Sequence, residues 1–372
     1  MKEKLKYYSL KPILQKNARY NVIFGHRSNG KTYAALEYGL THYIKEGSEL
    51  AIIRRWQDDF KGKRSQQMFD ALVDNCVISK LTKGEWTDVH YYGNRWFLCR
   101  YDEDHHRIVS DTPFAYAFAL TSMEHDKSTS YPSIRTVVFD EFLTRPTAGG
   151  YLVDEFVSFM NTLSTIIRQR DDVRIFMLGN TISTYCPYFT EMGLKHVKQM
   201  KHGDIDVYTY GSSGLTVAVE YCSPNENGKP SDVYFAFDNP KLNMIRGSQE
   251  GAWELGVYPH MPEGVKVRPR DIIFSYFIQF DGELMQADII HVDQMYFTFI
   301  HRKTTELQHP DKDIIYSQEW DPRPNWRRRM TKPIDDIDRK VASFFIKDKV
   351  YYQDNEVGEI VTNYLGWSKK LS

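Results

Sequence analysis

Short, unbroken apolar runs separated by polar turns set the pattern of the first two hundred residues. Val22-Ile23-Phe24, Leu50-Ala51-Ile52-Ile53, Thr136-Val137-Val138-Phe139 and Val173-Arg174-Ile175-Phe176-Met177-Leu178 have the length and side-chain type of strands buried in a parallel sheet. Between them the apolar spacing becomes helical. Leu36, Leu40, Tyr43 and Ile44 share one helix face, and Gly47 suits the C-cap. Leu152, Phe156, Phe159, Met160, Leu163, Ile166 and Ile167 form a second stripe, which predicts an amphipathic helix over 150–170 that ends at Arg168-Gln169-Arg170. Residues 57–80 read as mixed helix with polar connections, and residues 1–19 as a short basic lead-in. Alternating strands and helices argue for an α/β fold.

Hairpins punctuate the rest. Val89 to Tyr92 and Arg95 to Leu98 flank Gly93-Asn94, a two-residue turn, and another strand is expected between Pro113 and Leu120. After about residue 205 the composition shifts, and Cys222 to Asp232 is a polar stretch with Pro and Gly. The expected organisation is therefore a domain over 1–205, a linker over 206–250 and a second domain over 251–372. In the last part, Ile272 to Phe280 and Glu283 to Ile290 read as a hairpin across Asp281-Gly282, followed by a strand over 295–300. A helix carrying Ile337, Val341, Phe344 and Phe345, a strand at Val350-Tyr351-Tyr352 and a helix over 356–366 complete an α+β pattern.

With 372 residues, 41% hydrophobic and 26% charged, the chain has the make-up of an ordinary soluble globular protein of two domains. A net charge of -1 excludes a global basic field, so any nucleic-acid surface must be local. The four cysteines are scattered without C-x-x-C or zinc spacing, as expected of free thiols in a reducing compartment. The N-terminus lacks the apolar segment of a signal peptide, and no apolar run approaches a membrane span.

Chemistry enters with Gly25-His26-Arg27-Ser28-Asn29-Gly30-Lys31-Thr32, which fits G-x-x-x-x-G-K-[ST] between a predicted strand and a predicted helix. In such a P-loop the glycines permit a tight turn, and the loop amides and helix N-terminus cradle phosphate oxygens. Lys31 then reaches the β- and γ-phosphates of ATP, and Thr32 holds Mg²⁺. The competing reading is a glycine-rich turn without a ligand. Asp140-Glu141 ends a strand expected beside the P-loop strand, so Asp140 is placed in the Mg²⁺ shell and Glu141 as activator of the attacking water. The bland alternative is an acidic turn. Asn180, at the tip of the strand from Val173, either contacts the γ-phosphate or water, or caps a turn. Arg54-Arg55-Trp56 at a strand end stays open between phosphate, DNA, a neighbouring subunit and solvent. Asp102 to His106 reads as a solvated turn rather than a metal cluster, and Trp326 to Arg329 as a basic patch for nucleic acid or a protein partner, with a solvated loop the alternative.

These segments together resemble the genome-packaging ATPases of small podophages with protein-primed linear DNA. The likeness lies in Val22 to Arg27 with Gly30-Lys31, Asp126-Lys127-Ser128 with Tyr131-Pro132, Thr136 to Phe142, Arg168-Gln169-Arg170 and Leu178-Gly179-Asn180. It continues more weakly through Arg339 to Ser343 and Gln353 to Asn355. The resemblance implies a terminase-like P-loop ATPase of the ASCE type, followed by a smaller domain resembling an RNase H-like nuclease without its activity. It further implies a homo-oligomeric ring, pentameric, that docks on the portal (connector) of a procapsid in the host cytoplasm and drives double-stranded DNA inward. One branch of the family adds a structural packaging RNA. Residue by residue, the resemblance puts Arg27 near the phosphates, and makes Lys127 and Arg168 groups that act on the neighbour's ATP, with Arg170 the competitor. Asp281 falls in a hairpin turn, and Asp288 and Asp293 have no evident partners at strand ends for a two-metal nuclease site.

Three other readings compete: a ring helicase or recombination motor, a kinase built on the same loop, and a nucleotide-binding module without turnover. Glu141 beside Asp140 weighs against the kinase, since water activation belongs to hydrolysis.

Overall fold

The computed structural model describes residues 8–26, 29–122, 129–144, 150–181, 183–222 and 256–370. The chain divides into two units, each with its own sheet.

Among the described residues, the sheet of the first unit has ten strands: β1 (Tyr20–Gly25), β2 (Glu49–Arg54), β3 (Asp88–Tyr92), β4 (Arg95–Tyr101), β5 (Arg107–Val109), β6 (Ala115–Ala119), β7 (Ile134–Asp140), β8 (Arg174–Asn180), β9 (Ile205–Tyr210) and β10 (Leu215–Tyr221). Its order is β3-β4-β6-β2-β7-β8-β1-β10-β9, with β5 paired to β4. The central strands β6, β2, β7, β8, β1 and β10 are all parallel, whereas β3, β4 and β9 join antiparallel at the sides. Burial explains the split. Val22, Ile23, Phe24, Ile52, Ile53, Val138, Phe139, Phe176 and Met177 have no exposure, as strands covered on both faces require.

Two helices matter for the site. Helix α1 (Lys31–Glu46) follows β1 and ends at Gly47, whose φ of +72° and amide bond to the Tyr43 carbonyl (2.8 Å) close the last turn. Helix α2 (Glu155–Ile167) packs Phe159, Thr162, Leu163 and Ile166 inward, with Phe159 stacked on Phe139 of β7 (centroids 4.9 Å apart).

Four sequence expectations change. β7 is not beside β1, because β8 lies between them; apolar runs identify strands but carry no information on their lateral order. The span 206–250 does not begin as a linker. Residues 205–221 supply β9 and β10, and β10 pairs directly with β1; polar residues on an edge strand had hidden the pattern. Residues 8–19 are more than a lead-in, since Leu10, Ile13 and Ala18 are buried in the core. Finally, α2 starts at Glu155, after Asp154 in left-handed geometry (φ +50°), so Leu152 falls outside it. The polar tract over 223–232 lies outside the described residues.

The second unit holds a six-stranded sheet: β11 (Ile272–Phe280), β12 (Glu283–Val292), β13 (Met295–Arg302), β14 (Ile315–Ser317), β15 (Trp326–Arg327) and β16 (Val350–Tyr352), in the order β15-β14-β11-β12-β13-β16. β11, β12 and β13 form an antiparallel meander, β14 runs parallel to β11, and β15 parallel to β14. Asp281 and Gly282 turn the first hairpin with φ values of +52° and +76°, the type I′ geometry expected of Asp-Gly. Helices α3 (Asp336–Ile346) and α4 (Asn355–Lys370) contribute Val341, Val357, Ile360, Val361 and Tyr364 to a core with Tyr276, Ile278, Met285 and Tyr316.

The patch at Trp326 to Arg329 is largely consumed inside this unit. Arg327 pairs with Asp335 (2.7 Å) and with the buried Asp338, Arg328 lies over the Trp367 ring (5.3 Å), and Arg323 covers Trp326 (4.8 Å). Asp288 is buried and accepts from Ser275 (2.6 Å), Gln286 (2.9 Å) and His301 (3.2 Å). Asp281 and Asp293 occupy hairpin turns with positive φ.

Candidate functional site

The loop after β1 is shaped by close approach. A Cβ on Gly25 would stand 2.9 Å from Cys222 Cβ, at a φ of +156°, so the position needs glycine. Gly30 caps α1 with a φ of +94°, again outside the range of ordinary residues. Tyr8 braces the loop from behind. Its amide donates to the Asn29 carbonyl (3.0 Å) and its hydroxyl to Glu220 of β10 (2.6 Å).

Lys31, the first residue of α1, is 5% exposed. Its Nζ donates to the His26 carbonyl (2.6 Å), Asn29 Oδ1 (3.1 Å) and Asn180 Oδ1 (3.4 Å). Burial lowers its pKa to about 8, although Cys222 and Asp140 favour the charge. His26 is buried against His202 (ring centroids 5.2 Å apart); burial, His202 and Lys31 lower its pKa to about 4, so it is neutral at pH 7. Arg27 and Ser28 lie outside the described residues.

At the next residue, Thr32 Oγ1 donates to Asp140 Oδ1 (2.9 Å). Asp140 is buried at the end of β7, and its other oxygen is paired with Arg54 from the tip of β2. Arg54 also reaches Glu141 (3.3 Å). Burial opposes the Arg54 charge, but Asp140 and Glu141 outweigh it and raise its pKa. The Glu141 side chain is 62% exposed and its backbone sits at φ +61°. These groups and Asn180 line a cavity of about 300 Å³. Its chemistry fits the expected ligands. A hydroxyl and a carboxylate in contact are hard oxygen ligands suited to Mg²⁺, and the Arg54 pairing shows that this corner attracts a cation. The loop and the N-terminus of α1 suit polyphosphate.

The sequence thus brought together Gly25, His26, Asn29, Gly30, Lys31, Thr32, Asp140, Glu141 and Asn180. It left Arg54 and Arg55 undecided and missed one partner, Glu155. Arg55 turns away from the cavity into a two-point pair with Glu155 (2.7 and 2.8 Å). A charged residue opening an apolar stripe was the available signal.

Arg168 and Arg170 are separated by their surroundings. Arg170 donates to the carbonyls of Pro132, Ile134, Ile166 and Ile167, so its guanidinium is spent on closing α2. Arg168 is exposed, with φ +54° and a bond to the Thr129 carbonyl (3.1 Å). It precedes β8 and so lies at the edge of the sheet where parallel strands begin, opposite the edge that carries Lys31 and Asp140. Helix α2 spans roughly 20 Å between the two edges. Lys127 lies outside the described residues.

Known proteins are similar to this chain in sequence and fold. Over 188 residues the chain is 27% identical to the DNA packaging protein of Bacillus phage phi29, half of each chain; the chain spans about half the length of the curated relatives it matches. Its fold is similar to that in the bacteriophage Phi-29 viral genome packaging motor assembly, with a TM-score of 0.56 and 19% identity over 97% of this chain and 98% of that one. It is also similar to the Phi-28 gp11 DNA packaging motor, with a TM-score of 0.52 and 16% identity over 98% and 99%. Residues 1–201, more than half of the chain and including Lys31, Thr32, Arg54, Asp140, Glu141 and Asn180, match the family described as Podovirus DNA encapsidation protein (Gp16), and the chain belongs to that family.

Proposed function

We propose that this chain is an ATPase that drives viral double-stranded DNA into a procapsid, working as one subunit of a homo-oligomeric ring, pentameric, at the portal. The observation that carries the reading is the convergence of Lys31, Thr32, Asp140 and Glu141 on one cavity at the edge of a parallel sheet. Membership of the encapsidation family supports DNA as the cargo, and the relatives named above support an assembled motor.

The loop amides and the N-terminus of α1 bind the phosphates. Lys31 exchanges its loop acceptors for β- and γ-phosphate oxygens, and Thr32 and Asp140 hold the cation. Mg²⁺ held by Thr32 and Asp140 would supply positive charge to offset the charge that develops on the phosphates. Glu141, exposed to the cavity, takes the proton of the attacking water. Arg168 serves the nucleotide of the neighbouring subunit, since its own lies at the far edge of the sheet; Lys127 and Arg27 keep the roles that the resemblance gives them. In the second unit, the antiparallel β11-β12-β13 meander with β14 and β15 parallel beside β11 supports an RNase H-like ancestry. We propose that it cleaves no DNA. Two-metal cleavage needs several carboxylates on one ion pair, and Asp288 is already engaged by Ser275, Gln286 and His301.

The test is phosphate release by the full chain. Double-stranded DNA should stimulate it, and Glu141→Gln should bind ATP without turning it over. Strand displacement from a forked substrate would favour the helicase instead, and ATP binding with no phosphate release under any condition would refute the proposal.

A further inference from the structure

Two consecutive arginines at the end of β2 face opposite ways, as neighbours on a strand must. Arg54 reaches the carboxylates of Asp140 and Glu141. Arg55 is 6% exposed and holds Glu155, itself 2% exposed, through Nε and Nη2. The same guanidinium donates to the carbonyls of Phe142 (2.8 Å) and Glu141 (3.3 Å). One side chain therefore grips the backbone that bears the catalytic carboxylate and the first residue of α2.

Both ends of this linkage need outside support. Glu141 holds a left-handed backbone that a non-glycine residue adopts only under constraint. Helix α2 is fastened to β7 through the Phe139–Phe159 stack and delivers Arg168, also at positive φ, at its far end. A packed helix moves as a rod, so a shift at Glu155 is carried to Arg168.

We infer that Arg55 and Glu155 are positioning residues that tie the catalytic carboxylate of one nucleotide site to the arginine which the same subunit presents to its neighbour. This rests on the roles proposed above for Glu141 and Arg168. A buried ion pair that only fills space can be exchanged for apolar side chains without loss. A positioning pair cannot, because apolar chains release the Glu141 and Phe142 carbonyls.

The experiment uses the full chain, assembled with double-stranded DNA. The double variant Arg55→Met/Glu155→Met should fold and bind a fluorescent ATP analogue within about threefold of the parent, yet turn over at least about tenfold more slowly, a kcat effect without a binding effect. Parental kcat in this variant would overturn the inference. Mixed assemblies separate it from the reading beneath it, and they serve equally if the double variant does not fold. Glu141→Gln mixed with Arg168→Ala should recover turnover, because an intact site meets an intact arginine across one interface. Glu155→Gln should rescue neither, since both ends of its linkage are disturbed. Recovery with either partner, alongside a recovering reference mixture, overturns the inference and leaves the proposed roles standing. A reference mixture that stays inactive strikes those roles and the inference together.

Discussion

Raising the pH from 7 to 9 should weaken ATP binding about tenfold through Lys31 alone. Burial lowers the Lys31 pKa to about 8, whereas a bound triphosphate favours the ammonium and raises it. Nucleotide therefore binds the protonated form. Below pH 8 that proton is already present, and affinity is flat. Above it the proton must be taken up on binding, and affinity falls by about tenfold per pH unit, or roughly 1.4 kcal/mol. At pH 9 about nine in ten Lys31 side chains are neutral, so binding should take up close to one proton per ATP. Titration with a fluorescent ATP analogue at constant ionic strength gives the affinity. Calorimetry in buffers of different ionisation enthalpy gives the proton count. An affinity that stays level from pH 7 to 9, with no proton uptake, would refute the buried-lysine argument.

Replacing Arg168 by Ala should leave thermal stability unchanged and cut turnover by about 10³ or more. Arg170→Ala should instead destabilise the fold by about 1–3 kcal/mol, because four carbonyls lose their donor; denaturant titration and phosphate release distinguish the two. Gly25→Ala should lower stability by about 1–3 kcal/mol, since its methyl group meets Cys222 at the β1–β10 seam, as a shifted urea midpoint would show. In the second unit the hydrogen bond to Asp288 raises the His301 pKa above its usual value. That stabilisation is complete below the unfolded-state pKa near 6.5 and is lost as pH rises through the raised value; Asp288→Asn should abolish this slope in stability measured from pH 6 to 9.

The central strands and the phosphate loop were legible because both are local. Val22 to Phe24 followed by Gly25 to Thr32 states a strand, a turn and a helix in consecutive residues, and burial on both faces leaves apolar runs no other place to go. Lateral order was not legible. That β8 separates β1 from β7 is a fact about connections, and no run of residues encodes it. The edge was missed for a different reason. β9 and β10 carry polar residues such as Asp206, Thr209 and Thr216, and these read as the start of a linker. Within the site, Lys31, Thr32, Asp140 and Glu141, each named by a motif, line one cavity, whereas contacts with partners far away in sequence could not be read in advance. Arg54 acquires meaning only beside Asp140, 86 residues on, and Arg55 only beside Glu155, 100 residues on. The pair Arg168 and Arg170 was ambiguous in one dimension. It separates once the carbonyls of Pro132 and Ile134 are seen to claim one guanidinium.

The most direct measurement is DNA uptake itself. Procapsids bearing the portal are incubated with genome-length double-stranded DNA, ATP, Mg²⁺ and the full chain, and the DNA that becomes protected from added nuclease is quantified against phosphate released. Protection should grow with hydrolysis, and Glu141→Gln should give none despite its retained ATP binding. Protection at the parental rate with Glu141→Gln, or vigorous hydrolysis with no DNA protected, would contradict the proposed function.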